Sequence, residues 1–197
     1  MKRASTRFWL CASAILPCSA LLVSMPSFLS GQLQNSPKRA NEFTLAGLRP
    51  GRDKVSKAIR LYKKPLTGKP GDSSFSWDDV CIVQSLFLDA ETSGMIETIR
   101  AASHDKWTTA DCSPERLVWK TGRGLAVRDS CLRVSQLYGN PNSRSPSTKN
   151  GQPLELLYYA FDWAGPDVPQ VMEVVCTAPK DGISGRVVEI TLAAGSL

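Results

Sequence analysis

Residues 52–65 read RDKVSKAIRLYKKP and residues 128–141 read RDSCLRVSQLYGNP, so Arg-Asp, Leu-Tyr and Pro recur at the same spacing. The two stretches begin 76 residues apart, and a Gly-Leu pair precedes each of them. A repeat at a fixed distance is typical of a chain built from similar structural units. The sequence therefore predicts that one structural unit occurs twice.

Each of the two stretches has the features of a short helix. Asp53 and Asp129 are suited to be N-caps, because an Asp side chain accepts hydrogen bonds from the free N–H groups of a first turn. Pro65 and the Gly139/Pro141 pair are typical helix stops. In both copies apolar residues recur at helical spacing and form one stripe; they are Val55, Ala58, Ile59 and Tyr62, then Cys131, Val134 and Tyr138, with Ser135 in the place of Ile59.

A second pair of similar segments follows the predicted helices. Residues 95–102 (MIETIRAA) resemble residues 187–194 (VVEITLAA), and each segment follows an apolar run and a polar turn that contains Gly. Such a pattern predicts a β-hairpin. In the last strand Val188, Ile190, Leu192 and Ala194 share one face, while Glu189 and Thr191 lie on the other, so one side of the sheet is expected to face solvent.

The predicted fold is α+β, with two similar helix–loop–antiparallel-hairpin repeats whose helices pack on an antiparallel sheet. The first repeat is predicted at residues 43–120 and the second at residues 121–197, after a flexible lead-in at residues 32–42. Neither copy is large enough to bury a core alone, so the two halves are expected to share one core.

The first 31 residues have the composition of an export signal. Lys2, Arg3 and Arg7 precede an apolar stretch that ends near small residues, which is the order of a signal peptide. The apolar stretch is also long enough to serve as an uncleaved N-terminal anchor. We therefore expect an exported protein, either periplasmic or secreted, that is soluble or attached to a membrane by this segment.

Charge and cysteine content agree with export. Without residues 1–31 the chain holds 21 basic and 18 acidic residues, a net charge near +3 that gives no reason to expect nucleic-acid binding.

Four cysteines remain, and in an oxidising compartment they suggest two disulfides with three possible connectivities. Cys131 lies on the helix stripe and Cys176 on the apolar face of a strand, which favours Cys131–Cys176 and, by elimination, Cys81–Cys112. Free buried thiols or a metal site are the alternatives; with no C-x-x-C pair and only one histidine, we expect no metal.

The helix that begins after GLRPGRD (residues 47–53) and ends at LYKKP (residues 61–65) resembles the helix of the SmpA/OmlA, or BamE-like, family of outer-membrane lipoproteins. A tandem pair with one disulfide in each half is similar to the β-lactamase-inhibitory-protein-like fold. Arg52 and Arg128 depart from the Met or Thr that the family usually has there. The resemblance implies helices on one face of an antiparallel sheet and protein binding without catalysis, and it supplies no catalytic residue.

Enzyme motifs in the sequence are incomplete. Ser103-His104-Asp105-Lys106 matches S-x-x-K and Lys120-Thr121-Gly122 matches K-T-G, two elements of serine β-lactamases, but they lie 17 residues apart with no S-x-N between them. Consecutive Ser, His and Asp side chains cannot converge into a catalytic triad. The paired carboxylates, Asp78 with Asp79 and Asp89 with Glu91, are typical of exposed strand ends and turns. We therefore expect no enzyme and no cofactor.

The candidate binding residues lie on one strand and in the hairpin turns. Aromatic residues crowd residues 158–163, and three of them share one strand face, where they either fill the core or form a binding surface rich in typical hot-spot residues. The two hairpin turns and the loop at residues 142–153 are the other exposed candidates. The predicted binding residues are Tyr159, Phe161, Trp163, Asp89, Glu91 and Ile183.

Together these features predict an exported, non-enzymatic protein-binding module of the cell envelope. The alternative is an inhibitor or ligand-binding protein directed at an exported hydrolase, and a small hydrolase comes third. In either of the first two cases the partner is another protein, and neither nucleic acid nor a small-molecule cofactor is expected.

Overall fold

A computed structural model describes residues 40–79, 81, 83–104, 118–161, 170–179 and 184–195. All of these residues belong to one compact unit, residues 35–197. The unit contains two helices and seven strands in its described parts. They are α1 (Val55–Tyr62), β1 (Ser74–Asp79), β2 (Gln84–Ala90), β3 (Ile96–Ser103), α2 (Cys131–Tyr138), β4 (Ser143–Lys149), β5 (Gln152–Phe161), β6 (Gln170–Thr177) and β7 (Val187–Ala194).

The seven strands form one antiparallel sheet in the order β1-β2-β3-β7-β6-β5-β4. The central pair, β3 with β7, joins strands that are distant in sequence, and Ala101 lies opposite Ile190. The other neighbours are consecutive in the chain and pair as antiparallel strands. The sheet therefore runs without a break from the first strand to the last.

The predicted fold class is wrong. The molecule is dominated by a single seven-stranded antiparallel sheet, and its two helices have only eight residues each. A stripe of two helical turns predicts a helix, but it does not show how small a part of the fold that helix makes. The chain folds as a sheet-dominated, all-β protein rather than as repeats of helices packed on a sheet.

The sheet has one apolar face that holds the core. Leu88, Ile99 and Leu192 lie on it in one cross-strand row and are fully buried. Val55 and Ala58 from α1, with Val134 and Tyr138 from α2, belong to the same hydrophobic cluster. We call this the covered face, because both described helices contribute their buried side chains to it.

The helix positions were predicted well, but the caps were not. The N-caps are Lys54 and Ser130, one residue later than predicted, and the Ser130 hydroxyl accepts a hydrogen bond from the Leu132 N–H. Asp53 instead accepts from the Arg49 N–H at 2.8 Å and pairs with Lys57 at 2.7 Å. Asp129 likewise accepts from the Ala126 N–H at 2.9 Å. Both carboxylates therefore fix the loop before the helix, and Ile59, predicted on the buried stripe, is 37% exposed.

Both predicted hairpins are confirmed. The two edge strands of the sheet, β1 and β4, were not predicted. β2 pairs with β3 and β6 pairs with β7, as the apolar runs indicated. The predicted loop at residues 142–153 is instead β4 and the start of β5, which pair from Ser143 to Lys149. Every residue of β4 is exposed, so it has no apolar alternation, and its Pro146 is tolerated because the strand lies at the edge of the sheet.

Cys131 and Cys176 form a disulfide with their Cα atoms 6.2 Å apart, as predicted. It ties the first residue of α2 to the covered face of β6, where Cys176 is buried. Closing a loop of 45 residues in the unfolded chain stabilises the fold by about 2–4 kcal/mol. The predicted Cys81–Cys112 pair stays a prediction, because Cys112 lies outside the described residues.

Candidate functional site

The second face of the sheet carries rows of side chains that run across the strands. Residues that lie directly opposite each other on paired strands point to the same side. The pairing registers connect one such row through all seven strands. In strand order the row consists of Ser76, Phe87, Arg100, Thr191, Glu173, Tyr158 and Ser143.

Two further rows flank this middle row. One contains Asp78, Ser85, Ala102, Glu189, Val175, Leu156 and Ser145, and the other contains Ser74, Asp89, Thr98, Ala193, Val171 and Ala160. We call the surface formed by the three rows the open face. No residue of these rows belongs to the hydrophobic core cluster, so the open face is separate from the packing that stabilises the fold.

The open face is neither a second core nor an ordinary polar surface. Four side chains of the middle row are partly buried, namely Phe87, Arg100, Glu173 and Tyr158. The small Ala102 and Ala193 in the flanking rows are almost inaccessible to solvent. Each inner strand has partners on both sides, which fixes the spacing of these side chains. The result is a rigid surface that mixes aromatic, aliphatic and charged groups.

Charges on the open face are arranged around Glu189. Its Oε2 lies 3.3 Å from the Arg100 Nη1, and 3.7 Å from the Nζ of Lys149 on the β4–β5 hairpin. The Arg100 guanidinium also lies over the Phe87 ring, 4.1 Å from its centroid, a cation–π contact that holds both side chains in place. Two cations therefore converge on one carboxylate.

Glu173 is the second carboxylate at the centre of the face, and it has no such partner. It forms no ion pair and no side-chain hydrogen bond within the described ranges. Burial raises the pKa of its carboxyl group, and the negative charge of Glu189 raises it further. An ionised carboxylate held in this position is disfavoured unless another molecule brings a positive charge.

The three rows together are acidic. They contain four carboxylates, those of Asp78, Asp89, Glu173 and Glu189, and one basic side chain, that of Arg100. Lys149 adds a second positive charge from the hairpin. Asp78 and Glu189 lie on one side of the middle row and Asp89 lies on the other, so negative charge flanks the middle row on both sides.

The predicted binding residues are found in different places. Asp89 lies on the open face, where its Oδ1 accepts a hydrogen bond from the Ser74 hydroxyl at 2.8 Å. Glu91 lies in the exposed turn between β2 and β3 and accepts from the Ser93 hydroxyl at 3.1 Å. Trp163 and Ile183 lie outside the described residues. Of the predicted binding residues that the structure describes, only Asp89 lies on the open face.

Tyr159 and Phe161 are not surface residues. Tyr159 is fully buried and donates a hydrogen bond to the Gly139 carbonyl at 3.1 Å, and Phe161 is 2% exposed. Their rings pack with that of Tyr138 on the covered face. The neighbour Tyr158 points to the open face instead, because side chains alternate along a strand. The aromatic residues of β5 thus supply the core with two rings and the open face with one.

A buried carboxylate at Glu42 was not anticipated from the sequence. Its Oε1 accepts from the N–H groups of Phe43, Thr44 and Gly122, and its Oε2 accepts from the Arg123 N–H and the Tyr138 hydroxyl, at 2.7–3.0 Å. A side chain at Gly122 would collide with this group, since a Cβ there would lie 2.7 Å from Glu42 Oε1. Burial, and then the nearby Glu42 charge, raises the pKa of Tyr138. With both oxygens occupied, Glu42 joins the chain before α1 to the loop before α2.

The incomplete enzyme motifs gain no support from the geometry. Thr121 of the K-T-G segment is buried and bonds to the Tyr138 hydroxyl at 2.7 Å, within the Glu42 cluster. The Ser103 hydroxyl donates to the Val188 carbonyl at 3.2 Å, and Asp105 and Lys106 lie outside the described residues. No group of three or more potential metal ligands occurs among the residues that could be described.

Comparisons with protein-family models, with curated proteins and with solved structures gave no match for this chain. Nothing in these comparisons identifies a BamE-like or β-lactamase-inhibitory-protein-like fold, so that resemblance stays a prediction from the sequence. In the described part of the chain, no helix is long and apolar enough to cross a bilayer.

Proposed function

We propose that this chain is an exported, non-enzymatic protein-binding module that contacts its partner through the open face. The observation that carries the proposal is the middle row, which crosses all seven strands and presents Phe87, Arg100, Glu173 and Tyr158 in a fixed register. Aromatic and Arg side chains held rigidly near the centre of a surface are typical of interface hot spots.

The size of the open face fits this function. Six spacings between seven strands span about 29 Å, and a six-residue strand adds about 20 Å in the other direction. The resulting area of about 600 Å² is close to the roughly 800 Å² that each partner contributes to a standard protein interface. A folded protein, or an extended segment of one, can therefore cover most of it.

The charge pattern indicates what the partner presents. Glu173 is partly buried, unpaired within the described ranges and close to Glu189, so an Arg or Lys side chain placed opposite it would gain a charge-assisted hydrogen bond and relieve the repulsion. Tyr158, which lies opposite Glu173 in the same row and is partly exposed, offers a hydroxyl group beside it. We therefore propose a partner that places a basic side chain on Glu173.

Export is part of the proposal. The Cys131–Cys176 disulfide is compatible with an oxidising compartment, and the composition of residues 1–31 is that of an export signal. A component of a membrane-assembly machine and an exported hydrolase are the two kinds of partner that the sequence resemblance suggests. The open face suits both, because each can present a basic group.

Site-specific photo-cross-linking tests the proposed surface. A photoreactive residue in place of Tyr158 is expected to capture one protein in the envelope fraction of the source cells. The same residue in place of Leu132, which is 63% exposed on α2, is the matched control and is expected to capture none. Capture of the same protein in equal yield at both positions, or at Leu132 alone, would contradict the proposal. Identification of the captured protein then separates a membrane-assembly component from a soluble hydrolase.

A further inference from the structure

The segment around α1 has a strong excess of positive charge over negative charge. Residues 49–72 contain eight basic and two acidic residues, whereas residues 73–197 contain 11 basic and 15 acidic residues. Of the eight basic side chains, only Lys57 forms an ion pair within the described ranges, with Asp53. The other seven are exposed, so this segment presents a concentration of positive charge to the solvent.

Aliphatic side chains are exposed within the same region. Leu61 is 45% exposed, Leu66 is 67% exposed and Val118 is 42% exposed. Two clefts meet at Tyr62: one of about 200 Å³ is lined by Leu61, Val118 and Lys120, and one of about 350 Å³ is lined by Lys64 and Leu66, with Asp78 as its acidic residue. We call this surface the basic patch, and define it as Arg60, Leu61, Lys63, Lys64, Leu66, Val118 and Lys120.

We propose that the basic patch binds the surface of an anionic lipid bilayer. Lys and Arg side chains are attracted to anionic headgroups, and exposed aliphatic side chains among them can enter the boundary between headgroups and acyl chains. A nucleic acid would use exposed aromatic rings for stacking and would gain nothing from Leu61, Leu66 and Val118. The combination of charge and aliphatic surface therefore favours lipid. The basic patch shares no residue with the three rows of the open face, and Asp78 at the edge of the open face borders one of its clefts.

Leu132 on α2 provides an internal control for the aliphatic part. It is 63% exposed, close to the 67% of Leu66. Its neighbour Arg133, however, already forms an ion pair with Asp129 at 3.3 Å. The two leucines thus have similar exposure, but Leu66 shares a cleft with Lys64, which forms no ion pair within the described ranges, whereas the Arg next to Leu132 is already paired.

Vesicle binding by residues 35–197, the compact unit that contains the whole described core, tests the proposal without the apolar N-terminal stretch. The protein is expected to sediment with vesicles of phosphatidylcholine containing about 30% phosphatidylglycerol, and not with pure phosphatidylcholine, because the attraction requires anionic headgroups. The double variant Lys63→Glu, Lys64→Glu should bind at least about tenfold more weakly. Leu66→Ser should bind about fivefold more weakly, and Leu132→Ser should bind as the parent chain does.

The proposal would be overturned by no binding to the anionic vesicles, by equal binding to both kinds of vesicle, or by equal losses for Leu66→Ser and Leu132→Ser. Full retention of affinity by Leu66→Ser would also overturn it, since it would leave a general attraction of opposite charges without aliphatic contact. All substituted side chains are exposed. Thermal unfolding of each variant verifies that the fold is intact.

Discussion

The open face and the basic patch are two surfaces of one small domain with opposite charge and different construction. The open face carries four carboxylates and one Arg on paired strands, and its central side chains are held in place by neighbours in the sheet. The basic patch is formed by α1, by the loop that follows it, and by Val118 and Lys120 from the segment before α2. Its long Lys side chains are exposed and form no ion pair within the described ranges. The first arrangement suits a partner of defined shape, whereas the second suits a surface whose charges have no fixed positions.

The largest expected effect comes from reversing the charge of Glu173. Glu173→Arg should weaken binding of the partner recovered through Tyr158 by about a hundredfold, because two like charges would then face each other in a partly buried contact. The same variant should bind anionic vesicles as the parent chain does, since Glu173 lies on the open face. A titration of each variant with the purified partner and with vesicles measures both. Equal losses in the two assays would show that the two surfaces are not independent.

The next largest effect is expected from ionic strength, which should weaken binding at the two surfaces to different extents. Raising the ionic strength from about 50 mM to about 300 mM shortens the screening length, so vesicle binding should fall by about tenfold. Partner binding through the open face should fall by only about threefold, because charges in close, partly buried contact are screened less. Sedimentation with vesicles and a binding titration at both salt concentrations give the two values. A larger loss of partner binding than of vesicle binding would contradict the proposed difference between the fixed contacts of the open face and the exposed charges of the basic patch.

The ring at the centre of the basic patch has a structural role that can be measured. Tyr62 donates a hydrogen bond to the Ala46 carbonyl, and burial raises the pKa of Tyr62 to about 12. Tyr62→Phe should therefore lower the free energy of unfolding by about 1 kcal/mol at pH 7. A folded-state pKa above that of the unfolded chain means that this stabilisation is present below about pH 10 and is lost as the pH rises toward 12. Chemical unfolding at several pH values measures the free energy of unfolding of both proteins, and the difference between them should shrink over that range. A difference that stays constant with pH would contradict the role assigned to the Tyr62 hydroxyl.

The pH dependence of partner binding should be the smallest effect. The raised pKa of Glu173 means that its charge is lost as the pH falls through that folded-state value, and with it the attraction for a basic side chain. Affinity should fall modestly as the pH is lowered from neutral into the acidic range, and Glu173→Gln should remove this dependence. The sign for stability is opposite: the folded form gains stability as Glu173 becomes protonated, so Glu173→Gln should unfold at a slightly higher temperature than the parent chain at pH 7. A lower unfolding temperature would indicate that Glu173 has a stabilising partner.

The sequence predicted those parts of the fold in which apolar residues recur with the period of a helix or form the apolar run of a strand. Both hairpins and both helix positions follow from local patterns, and Cys176 lies on the strand face that its apolar neighbours indicated. β4 was missed because a strand at the sheet edge, exposed along its whole length, has the composition of a loop. The fold class was wrong because strand pairing between β3 and β7 depends on contacts between distant segments, which no local pattern reports.

The candidate site was harder to predict for a related reason. Alternation places Tyr158 and Tyr159 on opposite faces of β5, but the sequence alone does not say which face receives the helices. The middle row exists only through the registers of six strand pairs, so Glu173 and Arg100 are brought into one row by the fold and not by proximity in sequence. The burial of Glu42 could not be predicted, because a single Glu in a polar segment is typical of a surface residue. Only the fold brings together the five hydrogen-bond donors that satisfy its carboxylate.

The most direct test of the proposed function is the yield of the Tyr158 cross-link when Glu173 is replaced by Gln. This variant removes one charge from the centre of the open face and keeps the size of the side chain. If the open face binds a partner that places a basic side chain on Glu173, the yield should fall by about tenfold, while the protein remains folded. An unchanged yield would contradict the central role that we propose for Glu173.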